Sequence, residues 1–218
     1  LAPIMPSGSK NTMFRGSIYN ELIKLYADDS SLLKISYRLN EDLIRIPNKL
    51  FYNNMLESIP SLDNAPKVFQ TGIHSDILNH EDSKILYLHR VFDSQGRSPY
   101  EARLVSELIQ KLINDHIEIK NIAVLTPYRA QVREIKKHID QKLGNSYPDI
   151  FQSLFVDTVD SMQVQERYYI IYSMSNSHPL ECKRRLDFFY SPNRLNVAIT
   201  RAIKKCIVIA NYKVFDII

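Results

Sequence analysis

Residues 191–211, SPNRLNVAITRAIKKCIVIAN, predict a helix that leads directly into a buried strand. Apolar residues recur at three- and four-residue spacing from Leu195 onward, and Ser191 and Pro192 are residue types that commonly begin helices. The apolar run at residues 206–210 has the composition of a strand that is covered on both faces, as in parallel sheets flanked by helices. This stretch therefore predicts an α/β fold.

Arg194 and Arg201 lie seven residues apart in the same segment. On a helix that continues through both, they would share one face, away from the apolar stripe. An arginine cannot lose its charge, so this pair would suit the negative charge of a phosphate group. A surface helix with solvated arginines is the alternative that this segment alone leaves open.

The central part of the chain alternates strands with helices. Apolar runs predict strands, and longer stretches with helical periodicity predict the helices between them. The predicted elements are strand 85–88, helix 98–113, strand 122–125, helix 129–143 and strands near 155–158 and 169–173. Such alternation predicts a mostly parallel, doubly wound sheet with helices on both faces.

The first third of the chain is less regular. Residues 32–36 resemble a strand, Asn40 is a predicted helix cap, and residues 59–79 are predicted to form a long irregular connection. In doubly wound sheets the ligand crevice lies beyond the carboxyl ends of the strands. We therefore expect functional side chains in the loops after Ile35, Leu125 and Thr158, and before Arg194.

Composition limits the function without defining it. With 218 residues, 44% of them hydrophobic, the chain can form one sizeable α/β domain or two small ones. A net charge of +4 is compatible with nucleic-acid binding but does not establish it. No GxxxxGK[ST] or GxGxxG loop is present, so any nucleotide site here would be half a site.

Targeting, metal and redox signals are weak. No apolar run approaches the length of a membrane span, and His178 with Cys182 is too small a set to indicate a metal site. We expect no metal ligands and no membrane partner. The two cysteines are typical of reduced structural thiols, which favours a cytoplasmic or nuclear protein.

Four segments, in this order, match one family. SYRLNEDLIRIPNKLFYNNML resembles YRMHPxIxxFPxxxFYxxxL, TPYRAQ resembles TPYxxQ, TVDSMQVQE resembles TVDxxQGxE, and NRLNVAITRA resembles RLNVALTRA. These are motifs IV to VI of superfamily 1B helicases, which act on DNA or RNA. The resemblance spans nearly the whole chain, and four ordered motifs are far more specific than any one of them.

The resemblance implies a second RecA-like motor domain with a P-loop-NTPase-type α/β fold. Residues 1–15 would be a linker from a first motor domain, and residues 16–218 the domain itself. Because the chain begins at Leu1 and not at Met, we expect it to be part of a longer protein. The N-terminal RecA-like domain would supply the P-loop lysine and most Mg²⁺ ligands, and ATP would bind between the two domains.

The resemblance also implies roles for individual residues at the nucleotide. Arg38 and Arg201 match arginines that reach the γ-phosphate, and Gln163 matches a glutamine near the phosphates. Tyr37 matches the aromatic residue that stacks on adenine, and Glu166 matches the glutamate that binds the ribose. Arg194 is assigned to the nucleotide as well. A salt bridge from Arg38 to Glu41 or Asp42 is the structural alternative.

A second group of residues matches positions that contact the sugar-phosphate backbone of a single strand. These residues are Thr126, Tyr128, Thr158 and Ser161. Hydroxyls and backbone amides at such positions do not depend on base identity, so DNA and RNA both remain possible partners. Threonine and tyrosine at strand ends also occur for β-propensity alone, which remains the alternative. We expect a monomer.

Two positions depart from the family pattern, Val164 and also Tyr168, which stands where the family usually has an acidic residue. Val164 stands where the family has glycine, and a β-branched residue avoids backbone conformations that glycine adopts readily. Two competing interpretations follow from the sequence. The chain could be a degenerate helicase module that binds nucleic acid without turning over ATP, or an unrelated doubly wound domain that binds a small nucleotide.

Overall fold

The computed structural model describes residues 22, 25–26, 31–59, 69–92, 95–162, 165–177 and 192–214. Several predictions fall outside these residues and are not addressed by the structure. They concern the linker at residues 1–15, Gln163, Val164, the cap at Ser191 and the pair of His178 with Cys182.

Seven strands and six α-helices are described. The strands are β1 (Ile35–Ser36), β2 (Glu57–Ser58), β3 (Lys84–His89), β4 (Ile122–Thr126), β5 (Phe155–Thr158), β6 (Arg167–Ser173) and β7 (Ala202–Asn211). The helices are α1 (Glu41–Phe51), α2 (Ser75–Leu78), α3 (Pro99–Asn114), α4 (Arg129–Leu143), α5 (Ile150–Ser153) and α6 (Pro192–Thr200).

The main sheet has the strand order β3–β7–β6–β4–β5, and every neighbouring pair is parallel. Apolar layers cover both of its faces. On β4, Ile122 and Val124 pack toward α2, α3, α4 and α5, whereas Ala123 and Leu125 pack toward α1 and α6. This arrangement confirms the doubly wound, RecA-like α/β fold that the sequence predicted.

Local sequence explains where the longer helices begin. The side chain of Asn40 caps α1 by accepting a hydrogen bond from Leu43 N at 2.8 Å. The hydroxyl of Ser98 caps α3 by accepting from Glu101 N at 3.0 Å, and Pro99 occupies the first turn. Among the described residues, no helix has the length and apolar character that crossing a bilayer requires.

The structure corrects four details of the sequence prediction. The predicted strand at residues 32–36 is only β1, which pairs with β2 in a separate two-stranded sheet. The region predicted as irregular contains α2. The last strand begins at Ala202, earlier than predicted. The predicted strand was too short because Lys205 is polar, yet this residue is buried within the strand. Helix α6 ends at Thr200, so Arg201 lies in the turn that follows and not on the helix.

Lys205 is an unusual component of the core. It is fully buried, and its ammonium donates hydrogen bonds to the backbone oxygens of Leu78 at 2.9 Å and His80 at 2.6 Å. Burial lowers the pKa of Lys205 to about 8, although Asp82 and Asp42 act in the opposite direction. A neutral amine retains two hydrogens, which is enough for both carbonyl groups.

This pKa predicts how stability depends on pH. Between about pH 8 and pH 10.5 the unfolded chain binds a proton at Lys205 that the folded protein has released, so Lys205 contributes a rise with pH to the free energy of unfolding. Cys206, whose pKa burial raises to about 12, contributes a fall above about pH 9, so the Lys205 contribution is seen by comparison with a variant. Lys205→Met should lack this rise. Denaturant unfolding followed by circular dichroism gives the free energy of unfolding of the wild type and of Lys205→Met at several pH values. Parallel pH profiles for the two proteins would contradict the lowered pKa of Lys205.

Candidate functional site

The predicted site residues fall into two groups at opposite edges of the main sheet. Thr126 and Thr158 are register partners at the carboxyl ends of β4 and β5. Glu166 and Arg201 immediately precede β6 and β7, at the amino ends of those strands. Because all five strands are parallel, these positions define a carboxyl edge and an amino edge.

Three chain segments meet at the amino edge. Arg38, in the loop after β1, forms an ion pair with the carboxylate of Glu166, and its Nη1 donates to the backbone oxygen of Thr200 at 3.3 Å. Arg167 N donates to the backbone oxygen of Arg201 at 3.0 Å. The structure thus brings Arg38 together with Glu166 and Arg201, which follow it in the sequence by more than a hundred residues.

The charges of this cluster do not balance. Burial, and then the charge of Arg38, hold the pKa of the Arg201 guanidinium below its usual range, while Glu166 acts in the opposite direction. The Nε atom of Arg201 is buried and has no hydrogen-bond partner among the described residues. Two guanidinium groups lie near one carboxylate, which is ion-paired with Arg38, so the cluster carries the charge and the unused donor that an anionic ligand requires.

Two further observations bear on the predictions at this edge. Tyr37, next to Arg38, exposes 70% of its surface, so its ring is accessible to a ligand. Asp42, one of the alternative partners of Arg38, instead binds Lys84 Nζ at 2.6 Å and accepts from Ser83 N at 2.6 Å. The ion pair of Arg38 with Glu166 therefore replaces the local pairing that the sequence left open.

Arg194 lies at the other end of α6. Its guanidinium is buried and donates to both carboxylate oxygens of Asp160, from Nε at 3.1 Å and from Nη2 at 3.2 Å. Seven helical residues span roughly 10 Å at about 1.5 Å each, so Arg194 and Arg201 do not face one phosphate. The assignment of Arg194 to the nucleotide stays a prediction, and it would require this bidentate pair to open.

The strand-binding candidates cluster at the carboxyl edge. Thr158 Oγ1 and Ser161 Oγ are hydrogen-bonded at 3.1 Å, and Tyr128 N donates to Thr126 Oγ1 at 3.5 Å. Both threonines are buried, whereas Ser161 is exposed and Tyr128 is partly exposed. As placed, Ser161 and Tyr128 can contact a ligand, and the threonines stabilise the turns that present them.

The sequence did not identify a buried polar cluster at the same edge. The carboxylate of Glu101 and the side-chain amide of Gln131 are both fully buried and are linked through the hydroxyl of Ser173. Gln131 belongs to the TPYRAQ motif, but the motif gave no role for its side chain. The position of Glu101 three residues after a capping serine was the only signal for it in the sequence.

Similarity to known proteins identifies the family of this chain. Residues 14–213 match the family described as AAA domain. An uncharacterized ATP-dependent helicase, MJ0104, from Methanocaldococcus jannaschii is 31% identical over 93% of this chain and 30% of its own length. Helicase sen1 of Schizosaccharomyces pombe is 29% identical over 89% of this chain and 11% of its own. The chain belongs to this family, as a C-terminal domain of superfamily 1B helicases.

A third relative extends the comparison. ATP-dependent helicase NAM7 of Saccharomyces cerevisiae is 25% identical over 82% of this chain and 18% of its own length. This helicase domain therefore spans less than a third of each of these three relatives. The family resemblance inferred from the four motifs is confirmed.

The pair of Arg194 with Asp160 should stabilise this helicase domain. Asp160→Ala would leave a buried guanidinium without its bidentate carboxylate, and we expect a loss of roughly 1–3 kcal/mol in the free energy of unfolding. Glu118→Ala is the matched control, because Glu118 pairs with Lys120 on the surface, with both side chains more than 60% exposed. The control should change stability by less than about 0.5 kcal/mol. Equal losses, measured by denaturant unfolding, would contradict the role of Asp160.

Proposed function

We propose that this domain is the second motor domain of an ATP-dependent helicase or translocase, and that Arg38 and Arg201 act on ATP bound against an N-terminal RecA-like domain. The meeting of these two arginines at the amino edge carries the proposal. They come from distant segments, yet the main chain of Thr200 and the carboxylate of Glu166 bring them together.

The chemistry of phosphoryl transfer explains why two arginines suit this position. The transition state spreads negative charge over the γ-phosphoryl oxygens, so the protein contributes position and positive charge more than covalent chemistry. Arg38 and Arg201 provide permanent charge, and the buried Nε of Arg201 provides an unused donor. Mg²⁺ would bind mainly to carboxylates of the N-terminal domain and would neutralise phosphate charge there.

Glu166 and Tyr37 complete the proposed nucleotide site. Glu166 neutralises Arg38 in this structure, and with ATP present its carboxylate would accept a hydrogen bond from the ribose. The exposed ring of Tyr37 would stack on adenine. Gln163 would lie near the phosphates. Together with Arg38 and Arg201, Glu166 and Tyr37 would put the nucleotide at the amino edge of the sheet.

The carboxyl edge would bind a single strand of DNA or RNA. Ser161 offers an exposed hydroxyl and Tyr128 a partly exposed ring, supported by the buried hydroxyls of Thr126 and Thr158. Such groups contact sugars and phosphates without reading bases, as translocation along a mixed sequence requires. Closure of the two domains around ATP would then move the strand. On its own, the domain lacks a P-loop and would not hydrolyse ATP.

The arginine assignment predicts a specific kinetic defect. Arg38→Ala or Arg201→Ala in the full-length protein should lower ATP turnover by roughly a hundredfold or more, because arginine fingers contribute about 10³ to 10⁵ in rate. Nucleotide affinity should fall less, since the arginines act on charge that develops in the transition state. Steady-state ATPase assays and a nucleotide titration measure the two effects.

Arg45→Ala is the matched control for these variants. Arg45 is on α1 and is 72% exposed, with only a 3.7 Å ion pair to Asp42. Its replacement should leave turnover within about twofold of the wild type. Near-normal turnover in both Arg38→Ala and Arg201→Ala would refute the arginine assignment.

The strand-binding assignment predicts weak base preference and strong salt dependence. Fluorescent single strands of different sequence should bind the full-length protein with similar affinity, and added salt should weaken binding steeply. Ser161→Ala should weaken binding about fivefold, the value of one hydrogen bond of roughly 1 kcal/mol. Ser153→Ala, an exposed serine of α5, should leave it unchanged. Strong base preference with a flat salt response would contradict this proposal.

A further inference from the structure

A buried carboxylate lies at the carboxyl edge of the sheet. Glu101, in the first turn of α3, is fully buried. Its Oε2 accepts from the hydroxyl of Ser173 at 2.6 Å and from Ser175 N at 3.0 Å, and its Oε1 is 3.1 Å from His89 Nε2. Three donors from the ends of two strands therefore converge on one carboxylate.

The protonation of His89 follows from its other contact. Val91 N donates to His89 Nδ1 at 3.2 Å, so Nδ1 carries the lone pair and Nε2 carries the proton. That proton points at Glu101 Oε1. An acceptor-only carboxylate at Glu101 thus satisfies every donor directed at it.

Gln131 extends the cluster to helix α4. Its Oε1 accepts from Ser98 N at 2.7 Å, and its Nε2 donates to Ser98 O at 3.1 Å and to Ser173 Oγ at 3.0 Å. The Glu101 network, defined as His89, Ser98, Glu101, Gln131, Ser173 and Ser175, is buried throughout. It joins the first turns of α3 and α4 to the ends of β3 and β6.

The network leads to the ring of Tyr128. Ser175, held by Glu101, accepts from Gly96 N at 2.9 Å through its backbone oxygen. Gly96 has a φ of +83°, and a Cβ added there would lie 3.3–3.4 Å from three carbons of the Tyr128 ring. Ser175 itself has a φ of +49°. A serine held in the left-handed region indicates that the surrounding structure fixes it, and this is common at functional sites, whereas glycine adopts a positive φ readily.

We propose that the Glu101 network is a positioning device that holds Tyr128 for contact with a bound single strand. Glu101 holds Ser175 through a hydrogen bond to its backbone N–H, and the backbone oxygen of Ser175 holds Gly96. Gly96 has no side chain, so its backbone can pack against the Tyr128 ring. Gln131, three residues after Tyr128, fixes the start of α4 from the other side. This inference rests on the proposed function, and it assigns roles to Glu101, Gln131 and Gly96 in the strand-binding half of it.

A double-mutant cycle in the full-length protein tests this role. Tyr128→Ala should weaken single-strand binding roughly tenfold, the value of one stacked base. Gly96→Ala should weaken binding by a similar factor, because its methyl group displaces the ring. In the Tyr128→Ala background, Gly96→Ala should weaken binding by less than about twofold, since the ring is no longer there to displace. Fluorescence anisotropy with a mixed-sequence oligonucleotide measures all four proteins.

Glu101→Gln provides a second variant should Gly96→Ala fold poorly. In one orientation the amide N–H₂ would face the protonated Nε2 of His89, and in the other it would face the N–H of Ser175. In either orientation one donor loses its acceptor. Single-strand binding should weaken severalfold when Tyr128 is present and hardly at all when it is alanine. Glu107→Gln is the control on the same helix, because Glu107 is part-exposed and contacts His74, away from the network. It should not change affinity.

The outcomes distinguish a failure of the positioning role from a failure of the proposed function. Equal weakening by Gly96→Ala or Glu101→Gln with and without the Tyr128 ring would show a general structural role and overturn the positioning role. Unchanged binding in both variants would overturn it as well. If the wild-type protein and all variants fail to bind single strands, the proposed function itself fails, and the positioning role fails with it.

Discussion

The common direction of the five strands is the constraint on which the site geometry depends. Because β3 to β7 are all parallel, their carboxyl ends share one edge and their amino ends share the other. Residues that follow strands must therefore lie at the carboxyl edge, and residues that precede strands must lie at the amino edge. Thr126 and Thr158 belong to the first group, and Arg201 and Glu166 to the second. No local change of loop conformation can bring the two groups together.

Of the connections that cross between these edges, two carry candidate site residues at both ends. Helix α6 carries Arg194 near the carboxyl edge and ends next to Arg201 at the amino edge, and the chain from Thr158 to Glu166 makes the same passage. The bidentate pair of Arg194 with Asp160 joins the two connections at one end. In the proposed function, nucleotide at one edge and nucleic acid at the other would be linked through these two adjacent segments of the chain.

Sequence patterns predicted most of the fold because apolar periodicity reports burial directly. Helices α3 and α4 and strand β4 agree with prediction to within a residue at each end. Two of the failures involve polar residues in apolar surroundings. The predicted β7 was too short because Lys205 is polar, although its ammonium donates hydrogen bonds to two backbone carbonyls. The complete burial of Glu101 was not predicted either. Such burial depends on partners contributed by distant segments, which periodicity does not detect. The motifs identified Arg38 and Arg201 as candidates for the nucleotide site. Only the structure shows that Arg194 lies at the other end of α6, away from both.

In the proposed function, nucleotide and single strand bind at opposite edges of this sheet. A crystal structure of the full-length protein with a non-hydrolysable ATP analogue and an oligonucleotide tests it most directly. We expect the γ-phosphate within hydrogen-bond distance of Arg38 and Arg201 at the amino edge, with the strand crossing Tyr128 and Ser161 at the carboxyl edge. A nucleotide bound at the carboxyl edge, or a γ-phosphate far from both arginines, would contradict it.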